Sequence, residues 1–302
     1  MISSKEICQK LSLPDFGKSI SLNCYTTLDQ PKNKAILFLK NKSKKSLEKL
    51  SKHKESFFIL PKEMENDDFS FGNNAYTFHE NPRKVFFEVI EMFFSHPTKA
   101  YIDPEAFIGK DVEIGQNVSI GPGAKIIGKS VIEDGVSVGP NALIIGNCKI
   151  GANSVIASGV IIGEESLSIR YEEEQQYQNL QLGGVIIGKN SRVGVFSTIS
   201  RGSIGDTILE ENVFMGEYTH VGHNSFISSH SVLTLRSSIC GSVQINKPCW
   251  LGPHSVILNG VKVTEKIKLG TGSVLQSNAK KSGTYFGNPA KILRFNNKSA
   301  LN

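Results

Sequence analysis

Four histidines, His220, His223, His230 and His254, lie in the second half of this 302-residue chain, and two of them share one short stretch, EYTHVGHNSFI. A neutral imidazole can ligate zinc at about 2.0–2.1 Å. It can also accept a proton near pH 7, since its reference pKa is about 6.5. Zinc needs several such rings converging on one point, whereas a general base needs a single ring facing a reacting group. The five cysteines (Cys8, Cys24, Cys148, Cys240, Cys249) form an odd, widely spaced set without a CxxC pair. They read as reduced, mostly buried thiols of a cytoplasmic protein. A formal charge of +6 suits an anionic ligand without demanding nucleic acid. The start, MISSKEICQKLSL, lacks the basic stretch and apolar run of a secretory signal, and no apolar run is long enough for a transmembrane segment.

What must position these histidines is a repeat. Aliphatic residues recur every six positions without a miss from Ile102 to Ile162, as in IGKDVEIGQNVSIGPGAKIIG. The period breaks over residues 168–184 (SIRYEEEQQYQNLQLGG), resumes at Ile187, Val193 and Ile199, and breaks again across SRGSIGDTI. It then holds from Leu209 to Leu275. A six-residue unit is a short strand plus a turn, and three units close one triangular coil. The repeated aliphatic side chain points inward and stacks on its equivalents in neighbouring coils, each burial contributing about 1.5–3 kcal/mol. The fold class expected is therefore mainly β, a parallel β-helix of hexapeptide repeats over residues 99–280, with residues 281–302 as a C-terminal extension. Excursions of the first kind usually build binding edges rather than decorate a solenoid.

Within this register Val221 faces inward. His220 and His223 flank it and are not expected to converge, so no metal site is assigned. His223 falls two residues after the inward position, on a turn, where its ring projects outward. Gly241 lies eighteen residues further on, at the equivalent turn of the next coil.

Residues 1–98 have a different texture. SKEICQKL and NPRKVFFEVIEMFF show helical spacing, and AILFL and SFFIL read as short buried strands, giving a small α/β domain. Much of the excess positive charge sits at residues 40–54 (KNKSKKSLEKLSKHK), either a solvated helix face or a docking patch for phosphates or an acidic partner.

Fold alone does not give function. Several stretches, however, resemble the UDP-3-O-acylglucosamine N-acyltransferases of lipid A biosynthesis. NPRKVFFEVIEMFF is similar to the helix that closes that family's uridine-binding domain, and IGKDVEIGQNVSIGPGAKI to its first repeats. GGVIIGKNSRVGVFSTISRGSIGDT, ending at Thr207, resembles its most distinctive stretch, and VGHN (Val221 to Asn224) the motif of its catalytic histidine. The resemblance implies a left-handed helix and transfer of an acyl group from a phosphopantetheine thioester to the amine of a UDP-linked amino sugar. It makes His223 the general base and the Gly241 N–H the oxyanion donor. Asn224 orients the histidine or contacts substrate, and Phe38 and Asn41 match positions that help hold the uracil. The family's second stacking aromatic is Lys44 here, and its second active-site histidine is Gly260, His254 falling one turn too early. Gly216 and Glu217 stand for an acidic and amide pair, so Glu217 is expected near the sugar.

The chain closes with GNPAKILR, like acetyl-CoA-dependent hexapeptide transferases, which places Asn288 and Lys291 near the donor arm. Family C-terminal helices that engage acyl carrier protein have no counterpart. The resemblance implies a cytoplasmic homotrimer with no permanently bound cofactor, using acyl carrier protein or acyl-CoA as donor substrate. The alternatives are an acetyl-CoA-dependent nucleotide-sugar N-acetyltransferase and an inactive scaffold.

Overall fold

The computed structural model describes residues 2–67, 71–95, 100–172, 175–246 and 248–295. The chain divides into two compact units, 1–97 and 98–302. The first is built on a five-stranded sheet, ordered Phe16–Gly17, Ala75–His79, Phe57–Pro61, Ala35–Phe38 and Cys24–Tyr25. Its pairings are parallel except at the Phe16 edge. Alternation along the two central strands sorts the core. Ile36, Phe57 and Ile59 pack with Val85, Phe86 and Val89 of the helix Pro82–Phe93, while Leu37, Phe58 and Leu60 pack with Leu50 of the helix Lys44–Leu50. That shorter helix carries the basic run, with Leu50 and Ser46 inward and Lys49 paired to Asp29.

The second unit is a three-sided parallel β-helix. Its first face begins with Phe107–Ile108, its second with Glu113–Ile114 and its third with Ser119–Ile120. Successive coils pair in register eighteen residues apart wherever the chain is uninterrupted, as in Val221 with Ile239 and Ile239 with Ile257. The aliphatic column read from the period is the core: Ile120, Ile144, Ile162, Val221, Leu233, Ile245 and Leu269 are all buried. The turns follow from residue type. Three positions after the inward residue the backbone enters the left-handed region, and there the chain places Asn117, Asn141, Asn153, Asn190, Asn212 and Asn224 or glycine. Asparagine and glycine tolerate this conformation best. Beyond residue 280 the third face continues: Gly283–Phe286 pairs in parallel with Ile267–Leu269, and Lys291–Phe295 folds back antiparallel onto it. Among the described residues no helix is long and apolar enough to cross a membrane.

The two breaks in the period leave the prism at the same edge. Residues 164–184 run between Ile161–Ile162 on the first face and Val185–Ile187 on the second. Residues 200–206 run between Thr198–Ile199 on the first and Thr207–Leu209 on the second. The longer excursion carries an antiparallel hairpin, Ile169–Glu172 with Gln175–Gln178.

Candidate active site

His223 sits on that same first-to-second edge, between strands His220–Val221 and Phe226–Ile227, one coil beyond the shorter excursion. Its half-buried ring lies against the backbone of Gly241. A β-carbon on Gly241 would come within 2.4 Å of His223 Nε2 and 2.7 Å of Cε1, so only glycine leaves the ring where it is. Gly222 secures the approach from the other side, since a β-carbon there would lie 2.7 Å from the Gly241 nitrogen. The Gly241 carbonyl accepts from Gly260 N–H, while its own N–H donates to no acceptor among the described residues.

The hydrogen bonds around Asn224 determine which nitrogen of His223 is basic. Asn224 Nδ2 donates to the Gly205 carbonyl at 3.0 Å, and Asn224 Oδ1 accepts the Ser203 N–H at 2.9 Å. These two contacts fix the amide orientation. His223 Nδ1 lies 3.1 Å from that same Oδ1, which can only accept, so Nδ1 carries the proton. Nε2, over Gly241, is left with its lone pair. The arrangement presents a bare imidazole nitrogen beside a free backbone N–H, the two groups that attack by an amine on a thioester requires.

The same hydrogen bonds explain the distinctive stretch before Thr207. Asn224 N–H donates to Thr207 Oγ1 at 2.8 Å, and Asp206 Oδ1 accepts the Gly184 N–H at 2.7 Å. Arg201 Nε donates to the Gly163 carbonyl. These residues fasten the bases of both excursions to each other and to the turn bearing His223.

Sequence reasoning passed over His220. Burial lowers the His220 pKa first, and the neighbouring His223 lowers it further. His220 faces outward on its strand, while His223 occupies the adjoining edge. His220 Nδ1 is 2.7 Å from Thr198 Oγ1, its neighbour in the parallel ladder. The outward direction of the residue preceding Val221 was the available signal. Among the described residues no group of three or more histidine, cysteine or acidic side chains is arranged to hold a metal.

The other expected residues lie elsewhere. Glu217 is exposed on the third-to-first edge, six residues before His223 and one prism edge away. His254 is on that same edge, in the left-handed turn position, and not beside His223. Gly260 is on the His223 edge, with open space where a side chain would project. Asn288 accepts from Gln276 Nε2 at 3.1 Å, further along the His223 edge, and Lys291 opens the final strand. In the first unit Phe38 is half-buried with its ring 5.1 Å from that of Phe86, and Asn41 is exposed just before the basic helix. A cavity of about 730 Å³ in that unit is lined by Leu47, Leu50, His53, Lys54, Phe58 and Asn74 among others, and includes neither Phe38 nor Asn41.

Known proteins share the repeats and the fold. A family model for the bacterial transferase hexapeptide (six repeats) matches residues 129–164. The chain is 29% identical over 140 residues to the UDP-3-O-acylglucosamine N-acyltransferase of Janthinobacterium sp. (strain Marseille), covering 46% of this chain and 40% of that protein. It is 28% identical over 145 residues to the probable UDP-3-O-acylglucosamine N-acyltransferase 2, mitochondrial, of Arabidopsis thaliana, covering 48% of each. The match thus spans under half the length of these curated relatives. Among solved structures, the UDP-N-acetylglucosamine acyltransferase from Campylobacter jejuni has 26% identity and a TM-score of 0.58 over 65% of this chain and 75% of its own. The one from Bacteroides fragilis 9343, at 24% identity over 63% of this chain and 73% of its own, has a TM-score of 0.57 and supports the fold alone. The chain is a left-handed parallel β-helix of hexapeptide repeats with a small α/β unit before it, similar in sequence to the UDP-3-O-acylglucosamine N-acyltransferases.

Proposed function

We propose that the protein is an N-acyltransferase that moves an acyl group from a phosphopantetheine thioester to the amine of a UDP-linked amino sugar. The observation that carries the reading is the 3.1 Å contact of His223 Nδ1 with the Asn224 amide oxygen, with Nε2 turned to Gly241. The amine attacks the thioester carbonyl carbon as Nε2 takes its proton. The Gly241 N–H receives the developing oxyanion. Collapse of the tetrahedral intermediate breaks the C–S bond, and the proton on His223 passes to the departing thiolate, leaving an amide and a free thiol. No metal enters these steps.

The remaining assignments belong to the same proposal. Phe38 and Asn41 meet the uracil, and Asn288 and Lys291 meet the donor arm. Glu217, on another edge, reaches a substrate at His223 only from a neighbouring copy, which fits a homotrimer. The donor is acyl carrier protein or acyl-CoA, and the place of action is the cytoplasm. A second reading, an acetyl-CoA-dependent N-acetyltransferase, draws on the Asn288 turn lying along the His223 edge.

The test is transfer to UDP-linked amino sugars from acetyl-CoA and from 3-hydroxyacyl carrier protein, with the wild type and His223→Ala. Loss of a general base lowers turnover by about 10²–10⁴-fold. Unchanged turnover in the variant would refute the mechanism, and the preferred donor separates the two readings.

A further inference from the structure

The charge of the chain is gathered in one place. Residues 40–54 hold seven lysines and one glutamate, which equals the net +6 of the whole sequence, so the remainder of the chain is balanced. The helix Lys44–Leu50 turns Ser46 and Leu50 inward, and Lys44 and Lys45 on it and Lys52 just after it are exposed. Lys42 pairs with Asp67 and Lys49 with Asp29. Lys40, Lys44, Lys45, Lys52 and Lys54 make no ion pair among the described residues. Two further exposed lysines are tied to the end of the run. Lys34 N–H donates to the Lys54 carbonyl, and Ser56 Oγ lies within 3.2 Å of the Lys32 and Lys54 carbonyl oxygens.

What this surface lacks says what it fits. It holds no arginine, whose planar fork grips a phosphate or a base edge. Between Tyr25 and Phe87 no large hydrophobic side chain of the described residues is exposed. Stable protein interfaces concentrate arginine and aromatic anchors and are depleted in lysine. Single-stranded nucleic acid is held on exposed aromatic rings. An array of hydrated ammonium groups without anchors suits a partner that presents many negative charges and no fixed shape. We infer that the face of residues 40–54 docks on an anionic lipid surface. With no exposed apolar stripe the helix does not enter the acyl layer, and the negative potential of the headgroups holds it. Each lysine near such a surface strengthens binding about fivefold, so several together give reversible association. The docking requires no acyl transfer and stands apart from the His223 site.

The experiment is co-sedimentation of the full chain with phosphatidylcholine vesicles and with vesicles containing about a third phosphatidylglycerol, at about 0.05 M and about 0.5 M salt. The wild type is expected to pellet with the anionic vesicles at low salt, to be released at high salt, and not to pellet with phosphatidylcholine. The triple variant Lys44→Gln, Lys45→Gln, Lys52→Gln is expected to bind about a hundredfold more weakly. A second variant, Lys125→Gln, Lys262→Gln, Lys268→Gln, removes as many exposed charges from the β-helix and is expected to bind within about threefold of wild type. Equal losses in the two variants, or no preference of the wild type for anionic vesicles, would overturn the inference. So would binding to duplex DNA or to an acyl carrier protein without binding to anionic vesicles, which would reassign the face to nucleic acid or to an acidic protein. The wild-type measurements decide the matter alone should a variant fail to fold.

Discussion

At the residue scale, the candidate site depends on a contact that tolerates no added atom. Gly241 does not adopt a left-handed backbone, so alanine is conformationally acceptable there, and its β-carbon would meet the His223 ring. Gly241→Ala is therefore expected to displace Nε2 and lower kcat by about a hundredfold, the effect of a misplacement near 1 Å. Its unfolding midpoint in urea should stay close to wild type. His220 gives a pH prediction. Its folded pKa is below the unfolded value, so the unfolded chain binds more protons as pH drops under about 6.5. The stability present above that value is lost as pH falls toward the folded pKa. Urea midpoints at pH near 7.5 and 5.5 should differ more in the wild type than in His220→Gln.

Among the elements, the coils carry the buried column and the excursions leave it at the His223 edge. Leu233 is fully buried between Met215 and Leu251 on the third face. Leu233→Ala is expected to cost about 2–5 kcal/mol, since a parallel stack relaxes little around a cavity. Ile204→Ser, on the excursion, should stay within about 0.5 kcal/mol. Denaturant unfolding of the two variants tests the contrast. The excursions add little burial, yet both open on the His223 edge, where Asp206, Thr207 and Asn224 bind their bases together. A break in a regular period is a local event in sequence, and here both breaks fall at the same corner of the triangle.

For the whole molecule, the proposed homotrimer needs a contact edge, and one edge exposes aromatic side chains. Phe196, Tyr218 and Arg236 occupy successive left-handed turn positions on the third-to-first edge, where Gly123, Asn141, Gly159 and Gly272 stand in other coils. Bulky residues at positive φ cost about 1 kcal/mol or more each and persist where the surroundings repay them. Phe196 and Tyr218 are about half exposed with ring centroids 5.5 Å apart, and the Arg236 guanidinium lies 5.4 Å from the Tyr218 ring centre. Tyr218 belongs to the same coil as His223, so rotation about an axis parallel to the prism brings the two to equal height in neighbouring copies. Light scattering is expected to give three times the 33.0 kDa chain mass, and Tyr218→Asp to shift it toward the monomer.

The six-residue period by itself determined the prism, its inward column and its two interruptions, because burial of an aliphatic side chain at fixed spacing admits one register. The eighteen-residue offset from His223 to Gly241 was legible for the same reason, and so were the strands Ala35–Phe38 and Phe57–Pro61, as continuous apolar runs. The sequence did not reveal that His220 meets Thr198, because that pairing in the ladder spans an excursion and so departs from the eighteen-residue offset. Nor did it reveal what Asn224 does. Its amide binds Ser203 and Gly205, residues about twenty positions away, and through them fixes the proton on His223 Nδ1. That bond, and the gathering of both excursions on one edge, exist only once successive coils stack.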